Sequence, residues 1–245
     1  MCGRYAFLLP PEAMTALFKV LNDAVNYPPR YNITPTQPII AIAEREGQRT
    51  AELFRWGFVP GWVKDPKAFP LLINARAESM VGKPSFRDAM RNSRCIVPAS
   101  GYYEWMKAPG GTRQPYYITS TENETMAFAG LYSTWAGPNG EEVDTVCIVT
   151  VDPNLEISSV YDRMPAILRG QEAIDAWLNT REVKADEAAA LAIAPPAGTM
   201  KYHPVGKAIG KAISEGPDLI LPATAEEAEP EKPRRKANSG QLDLF

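Results

Sequence analysis

Histidine is almost missing from this chain of 245 residues: there is one, His203. A Ser-His-Asp or Cys-His device would have to use His203 or do without an imidazole. A zinc site of the Cys/His type would need ligands that the sequence hardly has. Cysteine is scarce as well, with three, at positions 2, 95 and 147. So few thiols give no disulfide framework and point to a reducing compartment, the cytoplasm. There is no apolar run long enough for a membrane-spanning helix. The N-terminus has no basic stretch leading into an apolar segment, so no signal peptide is expected. An excess of positive charge is also lacking. The net charge is −3, whereas nucleic-acid binders usually carry a basic balance. One local stripe runs the other way, with Arg76, Lys83, Arg87, Arg91 and Arg94 against Glu78 and Asp88. It is either a solvated face or a nucleic-acid contact.

What is present suits a globular protein. Apolar residues make up 45% of the chain, ample for a core at this length. Met14, Leu17, Phe18 and Leu21 recur at helical spacing behind Pro11, which predicts a short helix over 11–21. The proline-rich NYPPRYNITPTQP reads as an ordered loop. PIIAIAE and AELFRWGFVP, joined by REGQR, read as paired strands. SRCIVPASGYYEWMK, QPYYITS, TMAFAGLYSTW and EVDTVCIVTVD are further strands, separated by turn signals such as APGG and GPNG. QEAIDAWLNT and VKADEAAALAIA read as helices, and DLILP as a last strand. Many strands joined by short turns, with few helices between them, predict an antiparallel α+β domain over residues 1–222. From 223 onward the stretch ATAEEAEPEKPRRKANSG has no large apolar residue and is expected to be disordered. The chain then turns apolar again in QLDLF, residues 241–245.

Four places carry side chains with chemical potential. Cys2 follows the initiator methionine. Excision of Met1 would leave a cysteine with a free α-amine, titrating near about 8, beside a thiol near about 8.5. Such a residue attacks an aldehyde through its amine to form an imine, and the thiol then closes a thiazolidine ring. Alternatively Cys2 is an incidental small residue. In GYYEW, Glu104 sits among aromatic residues; it is a general acid or base of raised pKa, or a glutamate on an outer strand face. In INARAE, Asn74, Arg76 and Glu78 alternate and would share one face if extended. Asn74 could hold an oxygen or amine, and Arg76 a phosphate, or the three form a polar sheet face. In VYDRMPAIL, Tyr161, Asp162 and Arg163 precede a Met-Pro turn, which is otherwise a surface loop closed by an Asp-Arg pair.

MCGRY, RYNITPTQ, WGFVPGW, INARAES, the FRDAM…RCIVPASGYYEW block, DRMPAIL and YHPVGKAI together resemble, in order, the SRAP family. These are the SOS response-associated peptidases, also called abasic-site processing proteins. The resemblance covers about residues 2–222. It implies a single α+β SRAP domain with a mainly antiparallel, barrel-like core and short flanking helices. It also implies an activity: sensing abasic sites in single-stranded DNA and linking to them through an N-terminal cysteine, here Cys2, as a thiazolidine that shields the lesion. AP-lyase cleavage and crosslink reversal are implied side activities. By the same resemblance Asn74 positions amine and sugar, and Glu104 is the acid/base. Arg4, Arg76 and Arg163 hold phosphates beside the lesion, and Trp62 stacks on a base. One position departs: where the family carries a histidine before DRMP, this chain has Tyr161. A phenol donates a hydrogen bond but shuttles protons poorly at neutral pH. The family name keeps cysteine peptidase as an alternative, and loss of the histidine keeps non-covalent strand binding as another. No metal or other cofactor and no partner subunit is expected. QLDLF resembles the short peptide by which bacterial proteins bind the DNA polymerase sliding clamp, with Gln241, Leu242, Leu244 and Phe245 as the contacts. It is otherwise a chance pentapeptide or a strand folded back on the domain.

Overall fold

The structure is a computed structural model that describes residues 2–22, 25–107 and 111–224. The stretch from 225 to 245, with QLDLF, lies outside the described residues, as does the APGG turn from 108 to 110. In chain order the elements are β1 (Tyr5–Phe7), α1 (Pro11–Phe18), β2 (Arg30–Ile33), β3 (Pro38–Arg45), β4 (Gln48–Trp56), β5 (Asn74–Arg76), α2 (Ala77–Met80), α3 (Arg87–Asn92) and β6 (Arg94–Ala99). There follow β7 (Gly101–Lys107), β8 (Arg113–Ser120), β9 (Met126–Ala136), β10 (Glu142–Val151), β11 (Met164–Pro165), β12 (Ile167–Leu168), α4 (Gly170–Leu178), α5 (Ala185–Ala189) and β13 (Met200–Pro204).

Five strands close on themselves. β3 pairs with β4 and β6, β6 with β9, β9 with β10, and β10 returns to β4. Only the β10–β4 seam of this ring is parallel. The near-continuous apolar runs PIIAIA and VCIVTV mark strands covered on both faces, and both lie almost wholly buried. β5 adds to β10 in parallel, with Asn74 opposite Ile148 and Arg76 opposite Thr150. A second, antiparallel sheet runs β13-β8-β7-β1-β2. Its inner face meets the barrel core: the Tyr5 ring stands edge-on to Trp56, centroids 5.5 Å apart, and Tyr102 edge-on to Phe128 at 5.9 Å. Its outer face, with Ala6, Tyr103 and Tyr117, is covered by Val205, Ile209 and Leu219. The molecule is therefore an α+β fold, as the strand count predicts, with the barrel-like core that the family resemblance implies.

The chain passes from barrel to sheet at Ser100. The Ser100 amide donates to Ala6 O at 2.8 Å, and its Oγ accepts the Leu8 amide at 2.9 Å. Gly101 is needed at this corner, because a Cβ there would stand 2.3 Å from the Tyr117 ring.

Five expectations change. The proline-rich loop contains β2, whose Ile33 faces Tyr5 of β1; the prolines flank RYNI and leave its ladder intact. INARAE does not stay extended: the strand ends at Arg76 and Glu78 lies on α2, where buried Met80 anchors the turn. DLILP is not a strand, since Pro217 opens a 3-10 turn over Pro217–Ile220. The first helix stops at Phe18 with Lys19 in the left-handed conformation, leaving Leu21 exposed. VKADEAAALAIA forms only the short α5, which buries Ala188 alone.

Candidate active site

Strand pairing carries the N-terminus to the middle of the second sheet. β1 lies between β2 and β7, and the Tyr103 amide donates to Arg4 O at 2.9 Å. That register continues the ladder toward Cys2 and sets it beside Glu104. Cys2 is fully buried, and its thiol approaches Arg4 O at 3.9 Å. Burial, and next the nearby Glu104 carboxylate, push the Cys2 thiol well above its ordinary range. Glu104 is 3% exposed. Burial raises its carboxyl to about 7; the chain's amino terminus pulls it down, and Asp162 adds to the rise. A carboxyl poised near neutrality can both give and take a proton at cellular pH.

Tyr161 joins this pair from the segment after β10. Its partly buried phenol is raised first by desolvation and then by the Glu104 and Asp162 carboxylates, against a pull from Arg113. It therefore stays protonated at neutral pH. Asn74 is placed by β5, which β10 and Trp56 hold: the Asn74 Nδ2 donates to Ile148 O at 3.4 Å, and the Trp56 indole to Ile73 O at 3.0 Å. Since Trp56 also packs on Tyr5, one ring links the start of β5 to β1. The buried Oδ1 of Asn74 has no hydrogen-bond partner among the described residues.

The arginines differ from one another. Arg76 is exposed and makes no ion pair among the described residues. Arg163 is buried and engaged, donating to Glu78 at 2.9 Å, to Asp152 at 2.6 Å and to Thr150 O at 2.7 Å. The Asp-Arg pair that closes this loop is thus made with Asp152. A phosphate reaching Arg163 would have to displace one of these carboxylates, both of which are solvent-accessible. Arg4 donates to Asn32 Oδ1 at 3.1 Å and to the carbonyl of Ile209, and its guanidinium lies 5.6 Å from the Trp105 ring centre. Of the basic stripe, Arg76, Lys83, Arg87 and Arg91 are exposed. Arg94 is buried, donating to the carbonyls of Trp177, Met90, Asn179 and Val183.

Trp62 stands apart. Its ring is 56% exposed and edge-on to Phe69, in a loop whose Gly61 lies against Thr134 O. Thr134 faces Asp144 on β10, while Arg76 faces Thr150. Six residues at about 3.3 Å each separate the two by roughly 20 Å along the sheet. The Trp62 loop thus meets β9 about six residues along the sheet from the level of Arg76.

Sequence reasoning missed two contributors. Asn32 is fully buried; besides holding Arg4 it donates to Lys211 O at 2.9 Å and Ser214 O at 2.8 Å, tying the C-terminal segment to β2. A lone asparagine among prolines gives no signal of this. Tyr102 is the other, a buried phenol on the same face of β7 as Glu104. His203 bonds to Ile220 O at 2.8 Å and packs edge-on to Tyr117, on the sheet's outer face. Cys95 and Cys147 are buried in barrel strands. Among the described residues no cluster of His, Cys, Asp or Glu could hold a metal, and no helix is long and apolar enough to cross a membrane.

Comparison with known proteins places this arrangement. The abasic site processing protein YoqW of Bacillus subtilis is 33% identical over 222 residues, 90% of this chain and 99% of its own length. YedK of Escherichia coli, named an abasic site processing protein too, is 31% identical over 229 residues, 91% of this chain and all of its own. A crystal structure from Bacteroides thetaiotaomicron superposes with a TM-score of 0.81 at 27% identity, covering 91% of this chain and 100% of that one. The family model described as SOS response associated peptidase (SRAP) matches residues 1–212. On that match, together with relatives sharing nearly their whole length with it, the chain belongs to the SRAP family.

Proposed function

We propose that this protein processes abasic sites in single-stranded DNA in the cytoplasm, forming a covalent link through Cys2 once Met1 is removed. The amine of Cys2 attacks the aldehyde of the ring-opened sugar. The carbonyl oxygen takes a proton, water leaves, and the thiol adds to the imine carbon while its proton passes to nitrogen. The product is a thiazolidine and one water. Glu104 is the acid and base of these steps, Asn74 orients amine and sugar, and Tyr161 is a hydrogen-bond donor at the sugar. Arg4, Arg76 and Arg163 favour the flanking phosphates, and Trp62 a base farther along the strand.

The observation that carries this reading is the burial of Cys2 against a carboxyl whose pKa lies at about 7. Peptidase action on other proteins is the weaker alternative. The thiol is held neutral, and the only imidazole is bonded to Ile220 O on the far face of the second sheet. Mass spectrometry of the protein mixed with an oligonucleotide bearing one abasic site tests the proposal. An adduct of both masses less one water, absent in Cys2→Ala, is expected. No adduct from a correctly trimmed Cys2 terminus would overturn it.

For the tail we propose that Gln241, Leu242, Leu244 and Phe245 dock on the replicative sliding clamp. A tether of this kind raises the local concentration near single-stranded lesions. Deleting residues 241–245 should abolish binding to purified clamp; undiminished binding would refute the idea.

A further inference from the structure

Most buried tryptophans and tyrosines hydrogen-bond through their polar tip in this fold. The indole of Trp56 donates to Ile73 O at 3.0 Å, that of Trp135 to Val63 O at 2.6 Å and that of Trp177 to Cys95 O at 2.8 Å. The hydroxyl of Tyr103 donates to Tyr31 O at 2.7 Å. Tyr102 breaks the pattern. The residue is fully buried, and its hydroxyl has no hydrogen-bond partner among the described residues. An orphaned hydroxyl in a core is unfavourable and calls for a reason.

Its position supplies one. Tyr102 and Glu104 alternate on β7 and so point to the same face, toward the barrel. Tyr102 faces Tyr5 across the β1–β7 ladder, three residues from Cys2. Its ring is pinned edge-on to Phe128, which fixes where the hydroxyl points. The charges that bear on its phenol are those of Cys2 and Glu104, and with burial they keep it protonated, hence a donor. We propose that the Tyr102 hydroxyl is a third group of the reacting centre, a preorganised donor to the oxygen of the aldehyde attacked by Cys2. This rests on the abasic-site reading above and adds to it the group that receives the developing oxyanion. As the Cys2 nitrogen bonds to the carbonyl carbon, the π pair moves to oxygen, which Tyr102 holds by a hydrogen bond without losing its own proton. Glu104 delivers the proton that makes the hydroxyl of the carbinolamine and takes back the one that the attacking nitrogen releases. A fixed donor aimed at such an oxygen acts on the transition state far more than on the bound strand.

The test compares wild type with Tyr102→Phe, which removes one oxygen and keeps the ring. The single-turnover rate of adduct formation is measured on an oligonucleotide with a true abasic site. Affinity is measured on the same sequence carrying a tetrahydrofuran residue, which has no aldehyde. The rate should fall at least tenfold while the tetrahydrofuran affinity stays within twofold, and the melting temperature should hold or rise. An unchanged rate overturns the inference, as does a parallel loss of affinity, or a lower melting temperature that marks the hydroxyl as structural. If wild type itself forms no adduct, the abasic-site reading fails instead, so the two failures are distinguishable.

Discussion

Replacing Glu104 by glutamine should make the protein more stable, and increasingly so as the pH rises. The residue is buried, and its carboxyl titrates at about 7 in the folded chain against an ordinary 4.5. Below pH 4.5 folded and unfolded chains both carry the proton, and ionisation adds nothing. Between 4.5 and 7 the unfolded chain releases it while the folded chain keeps it. The folded state then binds more protons, and its stability falls with pH. Above 7 the full deficit stands, roughly 3 kcal/mol at about 1.4 kcal/mol per pH unit. The glutamine side chain keeps the shape and has no charge to desolvate. Urea denaturation of both proteins from pH 4.5 to 8.5 should give curves that differ little at the acid end. They should diverge to about 3 kcal/mol by pH 8, or roughly 6–12 °C in melting temperature. A gap that is constant with pH, or a variant that is less stable at pH 8, would refute the account of Glu104 as a carboxyl desolvated by the fold. The same carboxyl sets an expectation for the chemistry: any step that needs its proton should slow as the pH passes 7.

Three further outcomes follow from the geometry. Arg94→Met removes a buried guanidinium that satisfies four carbonyls, and should destabilise by about 3 kcal/mol or more in urea titrations despite the apolar replacement. Gly101→Ala puts a methyl 2.3 Å from the buried Tyr117 ring and should lower stability by about 2 kcal/mol, with backbone amide signals near Ser100 shifting in NMR spectra. Tyr161→His, which supplies a group titrating near about 6.5, should accelerate reversal of the DNA adduct at neutral pH; equal rates of crosslinking and reversal in both proteins would sink the idea that the phenol limits proton transfer.

Legibility in the sequence tracked periodicity. β3, β4, β9 and β10 announce themselves as apolar runs between turn residues, and those runs build most of the barrel. Where context outweighs local preference the reading fails. RYNI became a strand because it lies beside β1, and DLILP forms no strand because Pro217 opens a tight turn, leaving only an isolated bridge from Pro222 to Val205. The candidate site divides in the same way. Cys2 and Glu104 stand out in the sequence only as candidates with ordinary alternatives, and their roles come from the family resemblance. The engagement of Arg163 with Glu78 and Asp152 could not be read from the sequence, because it depends on α2 beginning at Ala77 and turning Glu78 back toward the segment after β10. The roughly 20 Å along β10 between the contact of the Gly61 loop at Thr134 and the level of Arg76 follows from the β9–β10 and β10–β5 registers, at about 3.3 Å per residue, which no single motif encodes.

The pairing of β1 also sets a schedule for protein synthesis. β1 is an inner strand, held by β2 on one side and by β7, Gly101–Lys107, on the other. Until about the first hundred residues have left the ribosome, the second wall of that slot does not exist. At roughly 5–20 residues per second this leaves some 5–20 s in which the amino terminus of the nascent chain is an open peptide end. Afterwards Cys2 lies in the interior. Translation is therefore the window in which an enzyme acting at the Met1–Cys2 bond meets an unpaired chain end, before β1 is enclosed on both sides.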